Sequence, residues 1–166
     1  MYRKIMVHLD GTRYAERILP GAIRLARKHE AKLVLLGIIK PPERAAIDPP
    51  ARRFIQAASG SRERLEPRLK RYLQIVAMYL GISDVDAEPV VVEGEGPEEI
   101  WDRAKEYECD LVALLDNDFA LLAHGPLAGV ADASLRTLDP PLLLISPDGY
   151  DDPAGLSTPM LFGAGR

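Results

Sequence analysis

The chain has 166 residues, 47% of them hydrophobic and 28% charged, which suits one compact domain with a sizeable core and leaves too little for two. Lys and Arg number 21 against 25 Asp and Glu, so the formal net charge of −4 offers no basic stripe for nucleic acid or anionic lipid. The single Cys109 excludes an intramolecular disulfide framework and a cysteine zinc cluster, and no apolar run reaches the roughly 18 residues of a membrane span. Met1-Tyr2-Arg3-Lys4 leads into only a short apolar-leaning stretch, too short for a signal-peptide core. A cytoplasmic protein without nucleic-acid or membrane partners is expected.

Ile5 to Leu9 is a mostly apolar run that ends at the turn signal Asp10-Gly11-Thr12. Ile18, Ala22, Leu25 and Ala26 then recur at helical spacing, with Asp10 or Thr12 placed to cap the free amides and Pro20 expected to kink the helix. Leu33 to Ile39 reads as a strand buried on both faces, the mark of a parallel sheet. Residues 40–61 hold four prolines, Gly60 and two serines and read as a long mobile connection. Leu65, Leu69, Tyr72, Val76 and Tyr79 predict a second helix that packs along this stripe and ends at Gly81.

Val90 to Val92 predicts a third strand, and Gly96-Pro97-Glu98-Glu99 a third helix with proline at its first turn and carboxylates at the positive end of its dipole. Trp101 and Tyr107 on that helix read as packing residues. Asp110 to Leu115 predicts strand four, Leu127 to Leu138 helix four, and Leu142 to Ser146 strand five. The alternation predicts an α/β fold: a doubly wound, five-stranded, mainly parallel sheet with helices on both faces, Rossmann-like βαβαβαβαβ. A ligand in such a sheet sits beyond the carboxyl ends of the strands, where the winding reverses. Residues 1–147 form this domain; 148–166, rich in Gly and Pro, read as a disordered tail, with Met160-Leu161-Phe162 as an apolar patch in it.

Several segments resemble the universal stress proteins, which belong to the adenine-nucleotide alpha-hydrolase-like group of α/β folds. The carriers are Ile5-Met6-Val7-His8-Leu9-Asp10-Gly11-Thr12 with Ala15 to Pro20 behind it, the Gly94 to Ile100 segment before Asp110-Leu111-Val112, and Val130-Ala131-Asp132 leading through Pro140-Pro141 into Leu142 to Ile145. The likeness covers about residues 2–147. It implies that Asp10, and with it Thr12, meets the nucleoside part of a ligand, that Ile39 borders an adenine through its backbone, and that two copies form a homodimer. Members that hold ATP carry G-x2-G-x9-G-[S/T] after strand four, whose glycines let backbone approach the phosphates. An ungapped alignment sets Leu115, Asp118, Ala128 and Gly129 at those four positions, and none matches. Asp116 and Asp118 add two carboxylates to the same loop. Like charges about 4 Å apart cost about 1 kcal/mol in water and about 4 kcal/mol at an effective dielectric of 20, so the phosphate cradle reads as dismantled.

Two rescues are open: a shifted cradle, Gly125-Pro126-Leu127-Ala128-Gly129, and a divalent cation held by Asp116-Asn117-Asp118. Pro126 weakens the first by removing an amide donor, and a solvated loop accounts equally for the second. Gly94-Glu95-Gly96-Pro97-Glu98-Glu99 imitates a dinucleotide fingerprint but lacks its last glycine and carries four glutamates with Glu93, so it reads as a capped helix start. His8, His29 and His124 have no metal-ligand spacing, Ser134 has no nucleophile elbow, and Cys109 follows acidic neighbours that disfavour its thiolate.

The expectation is therefore a stress-response interaction module with no catalytic residues, no bound cofactor or metal and no tight ATP binding. Its homodimer would form through a strand-five edge of Leu142, Leu143, Leu144 and Ile145, whose unpaired backbone and apolar side chains favour a second copy. The alternative is a small-ligand sensor that takes AMP, adenosine or another metabolite in a remnant pocket of Asp10, Thr12, Ile39, Leu115, Gly129 and Val130. A weak nucleotide hydrolase is the third reading.

Overall fold

The computed structural model describes residues 1–39, 52–94, 98–115, 138–145 and 160–162, with 52–64, 98 and 160–162 described as backbone alone. The elements are β1 (Lys4–His8), α1 (Leu19–His29), β2 (Lys32–Ile39), α2 (Arg52–Ile82), β3 (Ala87–Glu93), α3 (Glu98–Glu106), β4 (Leu111–Leu115), β5 (Leu142–Ile145) and β6 (Met160–Phe162). One sheet runs in the order β3-β2-β1-β4-β5-β6. Its first five members are parallel, as expected, and β6 is antiparallel to β5.

The side-chain alternation of each strand sorts the core into two layers. Ile5, Val7, Leu33, Leu35, Leu111 and Ala113 meet Ile18, Ala22 and Ala26 of the first helical segment and Leu73, Val76 and Leu80 of α2 on one face. Met6, Val34, Leu36, Val112, Leu114, Leu142 and Leu144 meet Ile100, Trp101 and Ala104 of α3 on the other. Helices thus cover both faces, and Trp101 and Tyr107 pack as expected, the Trp101 indole donating to the Pro140 carbonyl at 3.3 Å. Leu127 to Leu138, where a fourth helix is predicted, lies outside the described residues except for Leu138, which packs on this second layer.

Four expectations are corrected. Pro20 does not kink a continuous helix: a 3₁₀ turn, Ala15–Ile18, precedes α1, and Pro20 sits in the first turn of α1, where a missing amide costs nothing. Residues 52–61 are not a connection but the start of the 31-residue α2. Arg52, Arg53, Gln56, Ala57 and Ala58 favour helix, and one interior glycine at about 1 kcal/mol does not outweigh them. Gly81 does not end α2. The chain turns at Asp84, with φ 56°, and Val85 N–H donates to Leu80 O at 3.0 Å while Asp84 N–H donates to Gly81 O at 3.1 Å, a Schellman closure.

The fourth correction concerns the sheet border. The outer edge of β5 is not open, because Phe162, Leu161 and Met160 pair with Leu142, Leu143 and Leu144. The segment read as part of a disordered tail therefore supplies a strand. An apolar strand with a free row of amides and carbonyls is adhesive, and this chain covers it with its own C-terminal triplet. Three residues are too few to show a period in sequence. The rest of the tail, 146–159 and 163–166, lies outside the described residues.

Candidate functional site

From β1 the chain steps to β2 and β3 on one side and reaches β4 and β5 on the other, so the winding reverses between β1 and β4. Register sets Val7 opposite Ala113, which brings Leu9-Asp10 level with Leu115 at the carboxyl ends of both strands. Asp10 thus enters the crevice where a ligand of a doubly wound sheet is received.

Local chemistry fixes the Asp10 turn. Its Oδ1 accepts the Thr12 amide at 2.8 Å and the Thr12 hydroxyl at 2.7 Å, while Thr12 Oγ1 accepts the Ala15 amide at 3.1 Å. Gly11 between them takes φ 85°, a conformation that an L side chain resists. The capping duty that sequence left open between the two residues falls to Thr12, which satisfies the first amide of the 3₁₀ turn; Asp10 orients Thr12. Among the described residues both of these bonds use Oδ1, so Oδ2 keeps acceptor capacity.

Two neighbours that the sequence did not assign to the site border this turn. His8 closes β1, and burial drives its pKa below the ordinary 6.5, with the Asp10 charge opposing in part. On α2, the Tyr72 hydroxyl donates to Glu16 Oε1 at 3.0 Å. Burial, that bond and the charges of Glu16 and Asp10 raise the phenol well above its usual range, so Tyr72 stays a donor at physiological pH. The apolar stripe signalled Tyr72 as inward-facing, but its acidic partner is 56 positions away and left no trace in the pattern.

The remaining predicted positions divide. Ile39 ends β2 and is buried, and its carbonyl accepts the Gly94 amide at 3.1 Å, so one lone pair of the backbone group expected near an adenine is already engaged. Leu115 ends β4 with 1% exposure and belongs to the core layer under α1 and α2. Gly129 and Val130, with Asp116, Asn117, Asp118, His124 and Gly125, lie outside the described residues. Among the described residues no group of three His, Cys, Asp or Glu is arranged to hold a metal, and no helix is long and apolar enough to cross a membrane. Cys109 is buried, and desolvation pushes its thiol up to about 11, far from a reactive thiolate. A cleft of about 400 Å³ lined by Arg3, Arg27, Glu30, Lys32, Asp84 and Asp86 lies at the amino ends of the strands, opposite the switch point.

A parallel sheet reversing at β1/β4, with a side-chain-locked acidic turn at the carboxyl ends of those strands, defines a doubly wound α/β module. The Universal stress protein family profile matches residues 1–146, and the chain belongs to that family. Among solved structures, a universal stress protein family member from Burkholderia pseudomallei shares 24% identity, with 87% of this chain and 96% of that one covered and a TM-score of 0.53. Universal stress protein UspA from Lactobacillus plantarum shares 18%, covering 75% and 93%, with a TM-score of 0.57. A universal stress protein solved in complex with cAMP shares 17%, covering 88% and 98%, with a TM-score of 0.55. At these identities the likeness is one of fold. No curated protein matches the sequence significantly.

Proposed function

We propose that this chain is a non-catalytic, homodimeric stress-response module of the cytoplasm whose crevice does not hold ATP tightly. The observation that carries this reading is Leu115. Where ATP-holding members of the family place the first glycine of their phosphate loop, this chain puts a side chain with 1% exposure that is committed to the core. Glycine there would give the backbone the freedom to wrap a phosphate; leucine instead ties the end of β4 to the hydrophobic layer beneath α1 and α2. Asp116 and Asp118 follow directly in sequence and add repulsion toward a triphosphate.

A second reading rests on Asp10. Its Oδ2 is an acceptor suited to a ribose hydroxyl, in a turn pre-organised by Thr12 and Gly11, so a nucleoside, AMP or another small metabolite with few phosphates is the ligand class this crevice would accept. The family neighbour solved with cAMP makes that class worth testing first.

Isothermal calorimetry with ATP, AMP, cyclic AMP and adenosine, each with and without magnesium, separates the readings. Millimolar ATP is expected to give no heat of binding. Adenosine or AMP binding that weakens about tenfold or more in Asp10→Asn establishes the sensor reading. Micromolar ATP affinity overturns the argument from Leu115.

A further inference from the structure

The cleft at the amino ends of the strands is built by three strand entries and two helix ends. Lys32 N–H donates to Arg3 O at 2.8 Å and Leu33 N–H to Asp86 O at 2.8 Å, so the entries to β1 and β3 flank that of β2. The Arg27 guanidinium of α1 donates twice to Ser83 O, just past α2, at 3.0 and 2.5 Å. That brace ties the two helix ends together beside a hollow of about 400 Å³, whose apolar lining is the buried Ala26, Ala31 and Val85. Of the charged groups around it, Lys32 is already engaged, with Nζ 3.1 Å from Glu88 and 3.7 Å from Asp86. Among the described residues the side chains of Arg3, Glu30 and Asp84 have no partner. Glu30 and Asp84 are the left-handed residues that close α1 and α2, where a carboxylate meets the negative end of each helix dipole. Glu108, in the same conformation, at least pairs with Lys4; these two gain nothing of the kind from the protein itself.

We propose that this cleft is a binding site for a short zwitterionic peptide, whose terminal ammonium is received by Glu30 and Asp84 and whose terminal carboxylate is received by Arg3. The ammonium also meets the negative ends of two helix dipoles, and the guanidinium of Arg3 offers a carboxylate its two-pronged fork. A ligand of one sign suits the cleft poorly: an anion meets two carboxylates and two helix C-termini, and a plain cation leaves Arg3 opposing it. Three basic and three acidic residues line the cleft, which matches a ligand of no net charge. Spacing favours a peptide over a free amino acid. Arg3 and Asp86 stand on either side of β2, two strand spacings or about 10 Å apart at the backbone, so charges at the two ends of a chain suit it better than both on one carbon. The small apolar lining of Ala26, Ala31 and Val85 accepts a small apolar side chain between them. This site lies at the opposite end of the sheet from Asp10 and does not depend on what the crevice there accepts.

Titration of the isotopically labelled full chain with trialanine, followed by amide NMR shifts, tests the site. Shifts are expected at Ala31, Lys32 and Val85 rather than at Gly11 and Thr12, with a Kd of about 0.1 mM from a few charge-assisted contacts. Acetylating the amino end of the peptide, or amidating its carboxyl end, should each weaken binding about tenfold or more. Arg3→Gln should abolish the preference for the free carboxylate and keep that for the free ammonium. Glu30→Gln with Asp84→Asn should do the reverse, a pattern that a general loss of structure does not produce. All three side chains are exposed, so the variants are expected to keep the wild-type amide spectrum away from the cleft. Equal affinity for free and blocked peptides, shifts centred on Gly11 and Thr12, or no shift at about 10 mM trialanine overturns the assignment.

Discussion

At the scale of single residues, the same device closes three helices. Glu30, Asp84 and Glu108 each take the left-handed conformation, with φ between 53° and 56°, where glycine is the usual choice. In each case the next residue donates its amide back into the last turn: Ala31 to Ala26 O at 2.9 Å, Val85 to Leu80 O at 3.0 Å and Cys109 to Ala104 O at 2.7 Å. Ala31, Val85 and Cys109 are buried, so an apolar contact locks each turn although the αL residue is strained and carries a charge of the wrong sign for a helix C-terminus. Glu108→Gly is therefore expected to stabilise the fold by about 1 kcal/mol in urea denaturation, since the Lys4–Glu108 pair it removes is long, at 4.0 Å, and solvent-exposed. A neutral or negative result would show that unfolded-chain entropy outweighs relief of the strain.

His8 supplies a pH response. Its folded pKa lies below the unfolded value of 6.5, so both states are neutral above that value and only the unfolded state binds the proton just below it. Stability should fall as pH drops through 6.5 toward the lowered pKa. His8→Gln should flatten that decline, and denaturant midpoints at about pH 7.5 and about pH 5.5 check it. If the two proteins lose stability in parallel, burial of His8 is not the source.

At the scale of elements, α2 shows what a hydrophobic pattern can and cannot convey. Leu69, Tyr72 and Val76 of the predicted stripe do face the core. Leu65 and Tyr79 do not: a repeat of alternating three and four residues drifts against 3.6, which carries Tyr79 off the packed face as that face moves on to Leu73, Ala77 and Leu80, while Leu65 stands exposed one turn before the packed Leu69. The start of the helix was hidden by serine and glycine, and its end by Gly81, which suggested a C-cap that Asp84 performs instead. Gly37 of β2 lies directly under Leu69 and Leu73 of α2. A Cβ there would stand 2.7 Å from Leu69 Cδ2 and 3.1 Å from Leu73 Cδ1. Gly37→Ala should cost about 1–3 kcal/mol, read as a lowered thermal midpoint, and Leu69→Ala in the same chain should return part of the loss. Independent, additive losses would mean that the helix does not rest on this glycine.

At the scale of the whole molecule, the sheet was legible because five strands announce themselves as apolar runs separated by helical periods, and parallel pairing follows from that alternation. Within the site, Asp10 and Thr12 were legible from a turn signal at the end of a strand, and the structure gives each its task. His8 and the Glu16–Tyr72 bond were not, since their proximity is made by tertiary packing. β6 escaped for another reason: pairing by backbone alone needs no periodic side chains, and three residues among glycines and prolines carry none.

The order β3-β2-β1-β4-β5-β6 also places the first strand in the middle, where it is the shared wall of two hydrophobic layers: Ile5 and Val7 face one, Met6 the other. Releasing a β1 amide to solvent means parting β1 from β2 or from β4 and disturbing both layers at once. In native-state hydrogen–deuterium exchange the amides of Met6 and Val7 should consequently be among the slowest, reporting complete unfolding, with those of β6 at the border far quicker.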